Sequence, residues 1–345
     1  MCRPLARAAL VVGGAVATMA LTACGGDTQA SGADSAVRLG YFPNLTHATA
    51  IVADKEGFFA RRLGATELKV TTFNAGPAAM EALKSGAIDA TYVGPGPATN
   101  AFINSDGKAL TVVAGAAAGG TSLVVDPSVK SAADLRGKKV STPQLGNTQD
   151  IALRYWLMQH GLRTDLQGGG DVNVLPQENA QIVDAFKQKL IAGAWVPEPY
   201  ATRLEQAGGK ILVDERDLWP DKKFANTVLA VRTEYLTAHP KEVAALLAGH
   251  LDATDLIARN PARAQQDVAG LIVKVSGKPL KPAVIAAAWK RLEFTADPVS
   301  SSLLTGAQHA FKVEVLRESP KLDGLVDLRL LNHLLKQRGK PVIAP

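Results

Sequence analysis

Four times the sequence runs from a short β-rich stretch through a polar turn holding Gly or Pro and on into the start of a helix. The four units lie at 38–47, 71–77, 91–97 and 139–150. Strand alternating with helix at this spacing predicts parallel βαβ units. In an open α/β sheet such turns lie at the carboxyl ends of the strands, where ligands bind. The fourth unit reads most fully. Lys139-Val140-Ser141 is a strand, Thr142-Pro143-Gln144-Leu145-Gly146 a turn, and Asn147-Thr148-Gln149-Asp150 the first turn of a helix. A helix start exposes about four unpaired N–H groups and carries roughly half a positive charge, so small polar residues there leave donors aimed at an incoming anion. The four turns are read as converging on one small molecule.

The amino-terminal segment sets the compartment. Arg3 and Arg7 precede an apolar run over 8–21 that is shorter than the about 20 residues of a membrane span, and small residues follow it. Residues 1–23 therefore read as a secretory signal peptide. Leu21-Thr22-Ala23-Cys24 resembles the bacterial lipobox, which implies acylation of Cys24 and a lipid anchor in the membrane. Residues 24–35 then form a flexible tether of small and polar residues. Cys2, the other cysteine, falls in the signal peptide, so no disulfide is expected and a large core must hold the fold. Lys and Arg number 38 against 32 acidic residues, and loss of Arg3 and Arg7 leaves a mature charge of about +4. With no Lys/Arg block and no basic face interleaved with aromatics, that balance argues against nucleic acid as a partner.

Further strands are expected at 110–113, 122–125, 172–175, 192–196, 211–213 and 227–231, with an almost wholly helical tail from Lys241. The polar stretch at 130–138 suggests a boundary. One lobe takes 36–125 and 226–345, the other takes 126–225, and 227–231 is the return crossing. Asp214-Glu215-Arg216-Asp217, with mixed charges before Trp219 and Pro220, reads as a solvated loop rather than a metal site. The six His residues are scattered without zinc-like spacing, and there is no nucleophile elbow, phosphate loop or dinucleotide fingerprint. No catalytic residue, metal or cofactor is expected.

The stretches Gly40-Tyr41-Phe42-Pro43-Asn44-Leu45-Thr46-His47-Ala48, Phe73-Asn74-Ala75-Gly76-Pro77, the turn at 94–97, the segment 142–150 and Trp195-Val196-Pro197-Glu198-Pro199-Tyr200 together resemble the solute-binding proteins of ABC importers for aliphatic sulfonates, taurine and nitrate. The resemblance implies an α/β type II periplasmic-binding fold of two lobes joined by two crossings, with the ligand in the interlobe cleft. It implies a monomer that delivers a small organic anion, foremost an aliphatic sulfonate, to an ABC permease and through it to a cytoplasmic ATPase. The lipid anchor would hold such a member on the extracytoplasmic face of the membrane.

Carried over by motif, Phe42, Asn44 and His47 contact the ligand from the first turn, Asn74 and Gly76 from the second, and Gly94 and Gly96 from the third. Gln144, Gly146, Asn147 and Thr148 close from the other lobe, with Trp195 and Glu198 near the cleft. Glu198 beside an anion is repulsive unless the ligand also carries a cation or Glu198 pairs elsewhere, for instance with Arg203. Apart from Arg38, the four turns hold no Arg, so the acid group is expected to be captured by backbone dipoles and neutral donors. Taurine, nitrate and a neutral pyrimidine precursor stand as alternative ligands, and a biosynthetic enzyme on the same fold as the alternative class.

Overall fold

The computed structural model describes residues 36–344. Cys24, the signal peptide and the tether lie outside the described residues. In chain order the strands are β1 (Ala36–Tyr41), β2 (Glu67–Thr72), β3 (Ala90–Val93), β4 (Leu110–Gly119), β5 (Thr121–Val125), β6 (Lys139–Thr142), β7 (Asn173–Pro176), β8 (Gly193–Pro197), β9 (Lys210–Asp214), β10 (Ala225–Arg232) and β11 (Leu292–Glu293). They form two sheets, of order β11-β4-β10-β3-β1-β2 and β7-β6-β8-β5-β9. β1 runs parallel to β2 and β3, and β6 parallel to β7 and β8, as strands joined through crossover helices must. The strands that carry the chain between sheets, β4, β5 and β10, pair antiparallel to their neighbours.

The first crossing lies earlier than the composition suggests. β5 belongs to the second sheet, so the passage is at Gly119-Gly120 rather than after Val125. Both glycines have positive φ (69° and 68°), and a Cβ at Gly120 would lie 2.3 Å from Leu292 Cδ2. Two consecutive left-handed residues swing one long buried strand out of the first sheet and into the second, and only glycine takes that path without strain. The polar change at 130–138 marks surface within the second lobe, where Ser131 and Asp134 close a capping box.

Each sheet is covered on both faces. Apolar side chains of β1, β3, β4 and β10 pack on one face against the helices Ala48–Lys55, Phe58–Leu63, Pro240–Arg259 and Pro261–Ser276, and on the other against Gly76–Lys84 and Pro95–Ile103. The second sheet is flanked by Thr148–Gln159 on one face and by Asn179–Lys187 and Tyr200–Gln206 on the other. Most of the carboxyl-terminal helices serve the first lobe. The helix Ser300–Lys312 serves both: it packs on Pro95–Ile103 and on Thr148–Gln159, with Ala307, Ala310 and Leu316 buried around Ile151.

Candidate functional site

The strand-end turns of the two lobes face each other across a narrow cleft with room of about 40 Å³ inside it, partly open to solvent. The turn after β1 contributes Phe42, Asn44, Thr46 and His47, the next turn Asn74 and Ala75, and the turn after β3 Gly94. From the second lobe come Pro143, Asn147, Thr148 and Gln149, then Asn179 at the start of its helix and Pro197 at the end of β8. Asn226 and Thr227 of β10 form the floor. No Lys, Arg, Asp or Glu lines the cleft among the described residues.

Four buried atoms in this lining, Asn44 Oδ1, His47 Nε2, Asn179 Oδ1 and Thr227 Oγ1, make no hydrogen bond. A buried polar group left without a partner costs about 1–3 kcal/mol, and four gathered on one cavity are free to take hydrogen bonds from water or a ligand. His47 stacks on Phe42 with centroids 4.3 Å apart and meets Thr46 Oγ1 through Nδ1 at 3.0 Å. Burial pushes its imidazole down to about 3, so it stands neutral near pH 7. The cleft thus offers amides, hydroxyls and a neutral imidazole, and no fixed charge.

The unit at 139–150 is built as a cradle, with its donors partly spent. Asp150, fully buried, accepts from Thr142 Oγ1 (3.0 Å), the Gly146 N–H (3.0 Å) and Arg154 Nε (3.1 Å). That carboxylate shapes the loop around itself. Asn147 holds the N-cap position of Thr148–Gln159, yet its side chain makes no capping bond and lines the cleft. Thr148 Oγ1 reaches across to accept the Gly96 N–H (3.0 Å), a donor at the start of the first-lobe helix Pro95–Ile103. This bond spans the two lobes.

The glycines of the first-lobe turns answer to that approach. A Cβ at Gly94 would lie 2.8 Å from Thr148 Oγ1, one at Gly96 3.0 Å from Thr148 N, and one at Gly76 2.9 Å from Asn147 Oδ1 and 2.3 Å from Pro97. None of the three has a left-handed φ. Gly94 and Gly96 answer to the close passage of the other lobe, and Gly76 first to Pro97 of its own lobe.

Phe42, Asn44, His47, Asn74, Gly94, Asn147 and Thr148 are brought together in the cleft, with Gly76 and Gly96 packed just behind it. Four expected residues are elsewhere. Gln144 is half-buried and offers its carbonyl to the Asn147 N–H (3.0 Å), and Gly146 gives its N–H to Asp150. Trp195 is fully buried in the second lobe, its indole donating to Glu215 Oε2 (2.7 Å). Glu198 pairs with Arg291 (2.9 Å) rather than Arg203 and accepts the Thr202 N–H (3.1 Å). Glu215 is itself a correction: it sits inside the fold instead of in a solvated loop, between the indoles of Trp195 and Trp219. Arg38 is bound to Asp89.

Asn179, Asn226 and Thr227 escape the sequence reading. Asn179 follows β7 in a polar turn, a further instance of the same strand-to-helix unit, so a signal was there. Asn226 and Thr227 sit in a strand, and nothing local marks them. Asn226 Nδ2 donates to Gly119 O (2.6 Å) and Thr121 Oγ1 (3.0 Å), tying the return strand to the first crossing.

Two α/β lobes joined by two crossings and facing each other across a cleft of unsatisfied neutral groups are the architecture of the type II periplasmic-binding fold. The chain belongs to the NMT1-like family, whose model matches residues 30–273. It is 30% identical over 243 residues to a Brucella abortus protein named only as a binding protein, covering 69% of this chain and 72% of that one. The taurine-binding periplasmic protein of Escherichia coli is 26% identical over 213 residues, covering 61% of this chain and 63% of the relative. Among solved structures, the alkanesulfonate-binding protein of Xanthomonas axonopodis pv. citri, bound to MOPS, superposes with a TM-score of 0.71 at 21% identity, over 85% of this chain and 98% of that one.

Proposed function

We propose that the protein is the extracytoplasmic solute-binding lipoprotein of an ABC importer, anchored through Cys24, which captures a small organic anion, foremost an aliphatic sulfonate, and hands it to a membrane permease. It performs no chemistry on the solute. The observation that carries this reading is the set of four unsatisfied buried atoms from both lobes around one cleft. The names of the taurine-binding and alkanesulfonate-binding relatives support the class of solute.

A second reading has its own support. The cleft carries no cation, and two of its unsatisfied atoms are amide oxygens, acceptors that suit N–H groups on taurine or on a neutral pyrimidine. Turned by 180°, the same amides present donors to a sulfonate, so the choice rests with the solute.

Thr148→Asp separates the two. Asp at the start of a helix is favoured by the dipole and can accept the Gly96 N–H as Thr does, so the melting temperature should hold. A fixed carboxylate in the cleft should weaken ethanesulfonate at least roughly a hundredfold through lost hydrogen bonds and like-charge repulsion. A neutral pyrimidine should lose far less. Titration calorimetry of both proteins with both solutes decides, and equal affinities of ethanesulfonate for wild type and variant would remove the anion reading.

A further inference from the structure

The two crossings meet at one side chain. β10 begins where the second crossing ends, and its second residue, Asn226, is buried in the floor of the cleft. Ala225 pairs with Ala118 and Thr227 with Ala117, so Asn226 is the extra residue of a β-bulge. Along a regular strand neighbouring side chains point to opposite faces, and the bulge is what lets Asn226 and Thr227 both line the cleft. It also aims Asn226 at the first crossing, where Nδ2 donates to Gly119 O (2.6 Å) and to Thr121 Oγ1 (3.0 Å). A peptide oxygen only accepts, so the amide meets it with its nitrogen. Both amide hydrogens are engaged, and Oδ1 is left to the cleft.

The two acceptors belong to different lobes. Gly119 ends β4, the neighbour of β10 in the first sheet, and gives its N–H to Phe224 O (3.2 Å). Gly120 O takes the Glu198 N–H (2.8 Å), and Thr121 opens β5, which pairs with β8 in the second sheet. The lobes therefore divide at the Gly119–Gly120 peptide, where two left-handed glycines can absorb a change of backbone angle. Rotation about that point keeps Asn226 with Gly119 and carries Thr121 away. We propose that Asn226 is the hinge latch of the protein: its bond to Thr121 forms only when the lobes shut, holds the solute-free protein shut, and so sets how tightly a solute on the cleft side of the same amide is kept. The latch is independent of which solute is captured, and its effect on affinity rests on the solute-binding reading above.

Thr121 provides the test, because it is buried behind the cleft lining rather than in it. Thr121→Val keeps the shape, suits a strand and removes the acceptor, whereas Thr121→Ser keeps the hydroxyl. Small-angle scattering without solute should give wild type and Thr121→Ser the same radius of gyration and Thr121→Val a larger one. Asn226→Ala, which removes both bonds, should open the solute-free protein at least as far. In calorimetry Thr121→Val should bind ethanesulfonate about tenfold more weakly than wild type, the worth of one hydrogen bond spent on closure, and Thr121→Ser should stay within twofold. Saturating ethanesulfonate should return Thr121→Val to the wild-type radius. Equal solute-free radii for wild type and Thr121→Val overturn the latch, as does a lower melting temperature in Thr121→Val with radius and affinity unchanged, the mark of a merely structural bond. Should Thr121→Val not fold, equal radii for wild type and Asn226→Ala overturn it instead. If ethanesulfonate binds none of the proteins, the anion reading fails, and the solute-free radii still decide the latch.

Discussion

The cleft and the interior of the second lobe are both rich in buried polar side chains, and they use them in opposite ways. In the cleft Asn44, His47, Asn179 and Thr227 are neutral and hold atoms without partners. A short way behind, Asp150, Glu198 and Glu215 are acidic and held by Arg154, Arg291 and two indoles. These interior carboxylates hold the lobe in shape and each has partners for doing so, although one nitrogen of Arg154 is left without one. Cleft groups cost stability unless water or a solute supplies the missing hydrogen bonds.

Removing one interior partner should break the fold's support. Asp150→Ala strands the buried Arg154 and frees the Gly146 turn, so unfolding free energy should drop by about 3–5 kcal/mol, and solute affinity should fall with it because Asn147 and Thr148 ride on that loop. Arg291→Ala leaves Glu198 buried with the Thr202 N–H, and should cost about 3 kcal/mol in urea unfolding with affinity held. Glu205, which shares Arg291 at 2.6 Å, is part-exposed and loses less. Calorimetry on the two variants under folding conditions checks the contrast. Equal losses of affinity would mean that the two acids are not divided as described.

The next effect reads through pH. Burial raises the Glu215 carboxyl from 4.5 to about 7, against the pull of the Trp195 and Trp219 N–H groups. Between those values the folded protein holds a proton that the unfolded chain has released, so this group's contribution to stability falls as pH rises from about 4.5 to 7. The total is about 3 kcal/mol. Glu215→Gln gives up one indole bond and loses the titration. By urea unfolding, wild type should therefore be the more stable of the two at pH 5 and Glu215→Gln the more stable at pH 8.

The smallest effect is the most diagnostic. Thr227→Val deletes a hydroxyl with no protein partner, so stability should stay or rise by up to about 1 kcal/mol while solute affinity drops about tenfold. A stability loss without loss of affinity would place Thr227 with the interior groups.

How much of this was legible in the sequence follows the same division. The strand-to-helix units give the architecture and seven of the cleft residues, because a turn at a strand end carries its position in its own neighbours. Trp195 and Glu198 misled, since their partners Glu215 and Arg291 lie 20 and 93 positions away and no local pattern announces such a pairing. Gly119-Gly120 was overlooked as the crossing because the β-rich run continues through it and only the backbone angles show the bend. Thr227 was invisible because a Thr in a strand is ordinary. What makes it unusual is the absence of a partner.

The helix Ser300–Lys312 has a kinetic consequence. It holds the second lobe through Ile151 while resting on the first, and each opening must peel that apolar contact apart before the cleft admits anything. That apolar brace should favour the shut form against the cost of the unpartnered cleft groups. If solute enters only when that brace parts, its association rate should level off as solute becomes abundant, and the same brace should lengthen its stay, both readable by stopped-flow mixing.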